Sequence, residues 1–373
     1  MASDPAQRPL RLCHVFATFD AGGTQVRAIE VMRTLGAAFQ HSVLAADGRI
    51  GAATRTPADV PVHAMRRPAS RWRQLQDLVT ALRHSAPDLV LTYNWGALFG
   101  AVAAWLVGVP FVHHEEVVPP EERLARLRRR DWLRRAVLPR AERLVVPSRA
   151  MAARARDRWR LPEQRICHIA NGVDLTDRRP RRPEADRRSP SCVGTVAHAR
   201  IEKNWPRLLH AFAAIGARDA RLLVVGDGPE RSAAERLAAA LGIGDRARFA
   251  GAAADPRPCY DSMDVFALGS DDEQMPLTVL EAMAHGLPIV ATDVGDVAGM
   301  LPPEQRPFVV PCDANAPAAM ARAFDRLLAD AVLRARLGAA NRAHVARHHS
   351  LDGVAARYAD LYRMHARRQE PLP

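Results

Sequence analysis

The chain is 373 residues long and 48% apolar, too long for one ordinary core and well supplied for two, which excludes disorder throughout. A formal charge of +12 favours phosphate-bearing or membrane-surface partners, although Lys203 is the only lysine and an arginine-biased composition accounts for most of the basicity. The five cysteines, Cys13, Cys167, Cys192, Cys259 and Cys312, are scattered with no CxxC pair, which excludes a disulfide framework and a cysteine zinc site and suits reduced thiols in the cytoplasm.

Leu10–Thr18 is an apolar run that predicts a strand, too short for a signal-peptide core, and leads into Asp20-Ala21-Gly22-Gly23. Gln25–Leu35 then has helical spacing. Strands are predicted at His41–Ala46, Val60–His63 and Asp88–Thr92, with an amphipathic helix over Ser70–His84. Trp95–Val112 carries no charge over 18 residues, the minimum for a membrane span. Gly108 and Pro110 interrupt it, so it reads as a buried helix followed by strand Pro110–His113. Glu121–Arg149 holds ten arginines against four acids, interleaved with Leu127, Trp132, Leu133 and Val137. Such a stretch suits either an anionic membrane surface or a solvated helix, and no nucleic-acid-binding motif accompanies it. Strand Arg143–Pro147 follows.

Asp177–Ser191, rich in Arg, Pro and Asp, reads as an exposed linker between a domain over 1–176 and a second over 192–347. The pattern restarts with strands Cys192–Ala197, Arg221–Val225, Arg248–Ala250, Val265–Leu268 and Ile289–Thr292. Helices are predicted at Pro206–Ile215, Arg231–Leu241, Pro276–His285, Ala316–Asp330 and Val332–Arg347. This alternation predicts an α/β protein with two doubly wound, Rossmann-like parallel sheets in tandem.

The segment Ser270–Pro288 carries the most chemistry. Pro276 suits the first helical position, Gly286 the stop, and Pro288 blocks continuation. The N–H groups of Leu277 and Thr278 then project from the helix start, where with the helix dipole they form a seat for a diphosphate. Glu273 lies in the loop before that seat and Glu281 inside the helix, so two carboxylates flank it, suited to sugar hydroxyls and a ribose.

Here the chain resembles the family 4 glycosyltransferases of GT-B fold. Glu273 and Glu281, continued as Glu-Ala-Met-Ala-His-Gly-Leu-Pro-Ile-Val-Ala-Thr-Asp, match that family's signature. Further matches are Ala21-Gly22-Gly23, Val146-Pro147-Ser148, Asn171-Gly172-Val173-Asp174, Val225-Gly226-Asp227-Gly228-Pro229, Phe249-Ala250-Gly251 and Tyr260–Phe266. Each is weak alone; in this order they are specific and run along nearly the whole chain. The resemblance implies two domains facing a central cleft, with residues 348–373 packing back on the N-terminal domain. It implies a retaining transferase that moves a sugar from a UDP- or GDP-linked donor to a hydroxyl acceptor.

The same resemblance assigns Glu273 to the donor sugar, Glu281 to the ribose, and the Leu277 and Thr278 amides to the diphosphate. Met275, Pro276, Gly22, Gly23, Gly228 and Phe249 join the donor-binding set through their motifs. Lys203 falls on the family's diphosphate-binding lysine, and its retention in an arginine-rich chain argues for a site that demands a compact ammonium. At the family's arginine position stands His198, with Arg200 two residues later; the choice between them is open, and charge favours Arg200. A catalytic histidine after the strand Pro110–His113 is expected at His114 or His113. No metal is predicted to be required, Asp271-Asp272 reading as solvated loop, and no cofactor beyond the nucleotide sugar is implied. The expected partners are that donor, a carbohydrate or lipid-linked acceptor, and the anionic inner face of a cytoplasmic membrane, with assembly of bacterial surface polysaccharide, lipopolysaccharide or glycolipid as the setting. The competing reading is a nucleotide-sugar-binding protein without turnover.

Overall fold

The computed structural model describes residues 8–66, 70–117, 128–176 and 190–367. The Glu121–Leu127 part of the basic stretch and most of the expected linker therefore lie outside the described residues. The chain divides into two compact units, one formed by residues up to Asn171 together with those from Leu351, the other by Gly172–Ser350.

The first unit holds seven parallel strands: β1 (Leu10–Phe16), β2 (Phe39–Ala45), β3 (Val62–Ala64), β4 (Leu89–Tyr93), β5 (Phe111–His114), β6 (Arg143–Val146) and β7 (Ile166–His168). Their order is β3-β2-β1-β4-β5-β6-β7. The helices are α1 (Gly23–Leu35), α2 (Arg71–Ser85), α3 (Leu98–Leu106), α4 (Arg128–Val137) and α5 (Arg149–Trp159). Every residue of β4 is buried, as a central strand covered on both faces requires. The uncharged stretch of the sequence resolves into α3 and β5, with Gly108 at φ +68° between them. Among the described residues no helix is long and apolar enough to cross a membrane.

The C-terminal helix Leu351–His365 belongs to this first unit: Val354, Tyr358, Leu361 and Tyr362 bury against Leu12 and Phe16 of β1 and Ala28 and Met32 of α1. The unit ends at Asn171, five residues before the boundary read from composition. Val173 is buried, donates its N–H to His349 O at 2.9 Å and bridges Ser350, which ties 172–176 to the second unit.

The second unit holds six parallel strands: β8 (Cys192–Val196), β9 (Arg221–Val225), β10 (Ala247–Gly251), β11 (Val265–Leu268), β12 (Ile289–Thr292) and β13 (Val309–Val310). Their order is β10-β9-β8-β11-β12-β13. Helices α6 (Trp205–Ala213), α7 (Arg231–Ala240), α8 (Arg257–Asp261), α9 (Leu277–Ala284), α10 (Val297–Met300), α11 (Ala316–Ala329) and α12 (Ala331–His348) join them. In α6, Trp205, Leu208, Leu209 and Phe212 repeat at helical spacing and are all buried, each contributing about 2 kcal/mol of apolar transfer. Asn204 caps that helix, its Oδ1 accepting the Arg207 N–H at 3.0 Å.

Candidate functional site

Parallel sheets of this kind bind ligands beyond the carboxyl ends of their strands, where the strand order reverses. In the second unit the chain leaves β8 for β9 and β10 on one side, then returns to β11 and proceeds through β12 and β13 on the other. The loops after β8 and β11 flank that reversal. They are the segments Ala197–Asn204 and Gly269–Pro276, which carry Lys203 and Glu273.

The two loops are laced together. Asp271 donates its backbone N–H to Glu202 O at 2.8 Å; its carboxylate accepts from Asn204 Nδ2 at 3.0 Å and from Arg207 Nη2 at 2.7 Å. Asp271 is therefore a loop clamp, committed to Asn204 and Arg207. Asn204 adopts φ +41°, a left-handed geometry that asparagine tolerates better than most residues, and so turns the chain from Lys203 into α6. Among the described residues no three His, Cys, Asp or Glu side chains gather as metal ligands.

Glu273 is buried, and its Oε1 accepts from Lys203 Nζ at 2.6 Å and from Ser270 Oγ at 2.8 Å. Lys203 retains 21% side-chain exposure and so is not sealed into the core. Gly295, at φ +56°, brings the loop after β12 onto the same segment: a Cβ there would stand 2.1 Å from Glu273 O. Neither Ser270 nor Gly295 was singled out from sequence, and only the contact with Glu273 gives them meaning.

Helix α9 begins one residue later than the sequence suggested. Pro276 is extended (φ −69°, ψ 121°) and caps the helix from outside, and Leu277 is the first helical residue. The Leu277 and Thr278 N–H groups have no intrahelical acceptor in that first turn, and both residues are half-buried. Met275 is buried just before them. Further along α9, Glu281 is half-buried, with its Oε2 held 2.5 Å from the hydroxyl of the fully buried Tyr260.

His198 and Arg200 are both exposed in the loop after β8. Arg200 lies 4.0 Å from the Glu202 carboxylate, and the His198 ring lies over Gly228, where a Cβ would meet its Nδ1 at 2.6 Å. Gly228 (φ +147°) thus lets the loop after β9 approach the loop after β8, a contact completed by Ala199 N–H to Asp227 O at 2.9 Å. Phe249 packs on the core edge, 6.2 Å from the Trp205 ring centroid.

In the first unit the strand order reverses between β1 and β4. Gly22 caps α1 in an extended conformation and Gly23 is its first residue; among the described residues a Cβ on Gly23 would meet nothing within 4 Å. Beside this loop stands Asn94, just past β4, at φ +56°. Its Oδ1 accepts the N–H groups of Glu116 (2.7 Å) and Val117 (3.1 Å), and its Nδ2 donates to Thr24 Oγ1. Glu116 forms a buried ion pair with Arg27, whose other arm donates to Asn171 Oδ1 at 3.0 Å. This polar cluster escaped the sequence reading, which looked past Asn94 to the histidines.

The structure corrects the histidine expectation. His113 and His114 are fully buried, and both ring nitrogens of each are taken by the protein. His113 meets Thr92 Oγ1 at 2.7 Å and Glu115 Oε2 at 3.1 Å. His114 meets Thr92 O and the Tyr362 hydroxyl, each at 3.3 Å, and stacks on Tyr93. Burial, then the Arg27 charge, holds the His114 ring well below the usual imidazole range. Both are buried histidines whose ring nitrogens all meet partners within the first unit. The basic helix is likewise partly interior. Arg134 is fully buried on Glu115 at 2.7 Å, and Asp131 holds Trp159 Nε1 at 2.9 Å; Arg129, Trp132 and Arg135 stay exposed at three-residue spacing. Burial alone would raise the Glu115 pKa; the Arg134 charge and the His113 hydrogen bond outweigh it and hold the carboxyl below its usual range.

Two family models cover both units: "Glycosyltransferase Family 4" over residues 21–177 and "Glycosyl transferases group 1" over residues 189–330. The D-inositol 3-phosphate glycosyltransferase of Salinispora arenicola is 30% identical over 392 aligned positions, covering 89% of this chain and 85% of that protein. The chain belongs to glycosyltransferase family 4. The Salinispora tropica protein of the same description is 33% identical to this glycosyltransferase over 311 residues, 74% of the chain and 63% of that protein, so the match spans under two thirds of the relative's length. Among solved structures, Anabaena HepE in complex with UDP-glucose superposes with a TM-score of 0.81 at 18% identity, over 95% of this chain and all of that one. Sucrose-phosphate synthase from Thermosynechococcus elongatus gives 0.76 at 21% identity, over 95% and 98%. These likenesses fix the GT-B fold.

Proposed function

We propose that this glycosyltransferase uses a nucleoside-diphosphate sugar and transfers the glycosyl group with retention to a hydroxyl acceptor. The observation that carries the reading is the Lys203–Glu273 pair at the strand-order reversal of the second unit, beside the first turn of α9. An ammonium, backbone N–H groups and a carboxylate suit a diphosphate bearing a sugar: cation and amides for the phosphates, carboxylate for sugar hydroxyls. UDP is the favoured nucleotide, because HepE was solved with UDP, UDP with glucose, and UDP-glucose.

In this reading the bond from C1 to the β-phosphate oxygen breaks with its electron pair on the phosphate. The acceptor oxygen bonds to C1 from the same face, and its proton passes to that phosphate oxygen. Lys203, the Leu277 and Thr278 amides, and Arg200 or His198 stabilise the departing charge, a contribution of order 3 kcal/mol per well-aimed donor. Glu281 holds the ribose, and Gly22 and Gly23 leave the backbone at the start of α1 open to a phosphate or sugar.

The acceptor class is a polyol, saccharide or glycolipid hydroxyl. Relatives described as D-inositol 3-phosphate glycosyltransferases and as a lipopolysaccharide core glycosyltransferase of Rhizobium meliloti support it. Exposed Trp132 between Arg129 and Arg135 supports contact with an anionic lipid surface. The test is incubation with a panel of UDP- and GDP-sugars, following release of the nucleoside diphosphate with inositol phosphate, monosaccharide and glycolipid acceptors. Turnover with a product of the donor's own anomeric configuration supports the reading; inverted product contradicts it, and binding without turnover favours a non-catalytic nucleotide-sugar protein.

A further inference from the structure

Glu281 rises from α9 with its carboxylate already gripped. We infer that Tyr260 is a positioning residue for nucleotide binding, whose hydroxyl fixes the Glu281 carboxylate so that it meets the ribose hydroxyls in one orientation. This rests on the reading of Glu281 as the ribose contact.

Tyr260 has no freedom of its own. It is 0% exposed, sits in the short helix α8, and closes the turn into β11 by accepting the Met263 N–H at 3.1 Å. Its ring lies between Phe266, at 5.9 Å, and His285, stacked at 4.9 Å with 28° between planes. His285 is pinned in turn: its Nδ1 lies 2.8 Å from the Glu281 backbone oxygen, which can only accept, so the Nδ1 carries the proton. The Tyr260 hydroxyl therefore arrives 2.5 Å from Glu281 Oε2 by packing alone.

A hydroxyl donating to a carboxylate over that distance makes a short, charge-assisted bond. An ionised carboxylate has about four acceptor sites, so the bond from Tyr260 restrains its orientation without using up its capacity to accept from ribose hydroxyls. Without the tyrosine hydroxyl, this half-buried glutamate on an eight-residue helix loses one of the contacts that fix its carboxylate before the nucleotide arrives, at a cost to affinity. A phenylalanine would fill the same slot between Phe266 and His285 but would donate nothing to Glu281.

The experiment compares UDP with 2′-deoxy-UDP and 3′-deoxy-UDP, and GDP with its deoxy forms, by calorimetry on the full chain and on Glu281→Gln and Tyr260→Phe. Binding stoichiometry reports the folded fraction, so each affinity is read on folded protein. The full chain should favour the ribonucleotide by about thirtyfold, the range for a hydrogen bond to a charged group. Glu281→Gln should reduce that ratio to about threefold, and Tyr260→Phe should do nearly the same. A tyrosine that merely supports packing would weaken ribo and deoxy forms alike and keep the ratio. Loss of the ratio in Glu281→Gln but not in Tyr260→Phe overturns the inference and leaves the ribose reading intact. An unchanged ratio in Glu281→Gln overturns the ribose reading itself.

Discussion

Lys203 Nζ lies 2.6 Å from Glu273 Oε1, so the only lysine in the chain is ion-paired with the first glutamate of the signature segment. From sequence alone these two residues belonged to different parts of the donor, one to the diphosphate and one to the sugar. Their contact makes them one unit, in which each holds the other in register while loops from β8 and β11 supply the geometry. An arginine at 203 would put a longer, planar fork where a compact ammonium now meets Glu273 Oε1.

Because Glu273 is buried and Lys203 half-buried, breaking the pair costs stability as well as rate. Lys203→Ala should lose about 2 kcal/mol of folding stability and about a hundredfold or more in turnover. A double-mutant cycle with Glu273→Gln, read by chemical denaturation, should give a coupling energy of about 1–3 kcal/mol. Additive losses would mean that the pair is incidental.

Gly295→Ala is expected to disturb the same site from outside it. The new Cβ would collide with Glu273 O in a left-handed conformation, and the loop after β12 must retreat. Stability should fall by about 2 kcal/mol, with nucleotide affinity falling alongside. Gly299→Ala, where a Cβ meets nothing within 4 Å, serves as the control and should leave affinity unchanged.

Acid should weaken the first unit through its buried histidines. His41 is pushed down to about 4 by burial, and burial also holds His14 and His114 well below the usual imidazole range. His14 bridges His41 Nδ1 at 3.0 Å and the Tyr93 hydroxyl at 2.8 Å, while His41 Nε2 has no hydrogen-bond partner among the described residues. The unfolded chain binds these protons near pH 6.5 and the folded one does not, so stability is full above about pH 6.5 and falls as the pH drops towards 4. Denaturant midpoints between pH 8 and 4.5 should fall on the acid side, with a shallower slope in His41→Phe. An unchanged slope in that variant would take His41 out of the account.

Trp132 is 65% exposed on α4, with Arg129 and Arg135 on the same face. Co-sedimentation with phosphatidylglycerol vesicles should weaken several-fold in Trp132→Ser and with added salt, while neutral vesicles bind little. Equal binding to both vesicle types would remove the membrane surface.

Much of this was legible in the sequence because strong periodic signals coincide with hard stops. The strands Arg221–Val225, Val265–Leu268 and Ile289–Thr292 were read to the residue, since each is built on a short apolar run that stops at glycine or aspartate: Gly226, Gly269 and Asp293. Strand β7, Ile166–His168, was missed: three half-buried residues carry no period to detect. The start of α9 was off by one because proline suits the cap and the first turn alike. Contacts between distant segments were the true limit. Tyr260 with Glu281, Asn94 with Glu116, and Lys203 with Glu273 are separated by 21, 22 and 70 residues, and no local pattern joins them. The histidine pair misled for the same reason: ending a strand at the ligand-binding edge places a residue, but only its partners show that His113 and His114 face inward.

The central claim is that the second unit seats a nucleoside diphosphate on Lys203 and the start of α9. Isothermal titration with UDP, UDP-glucose, GDP and GDP-mannose, on the full chain and on Lys203→Ala, tests it most directly. Saturable binding of one nucleotide series, weakened by tenfold or more in Lys203→Ala with the variant still folded, is the predicted result. Binding that Lys203→Ala leaves unchanged, or no binding by either series, would contradict it.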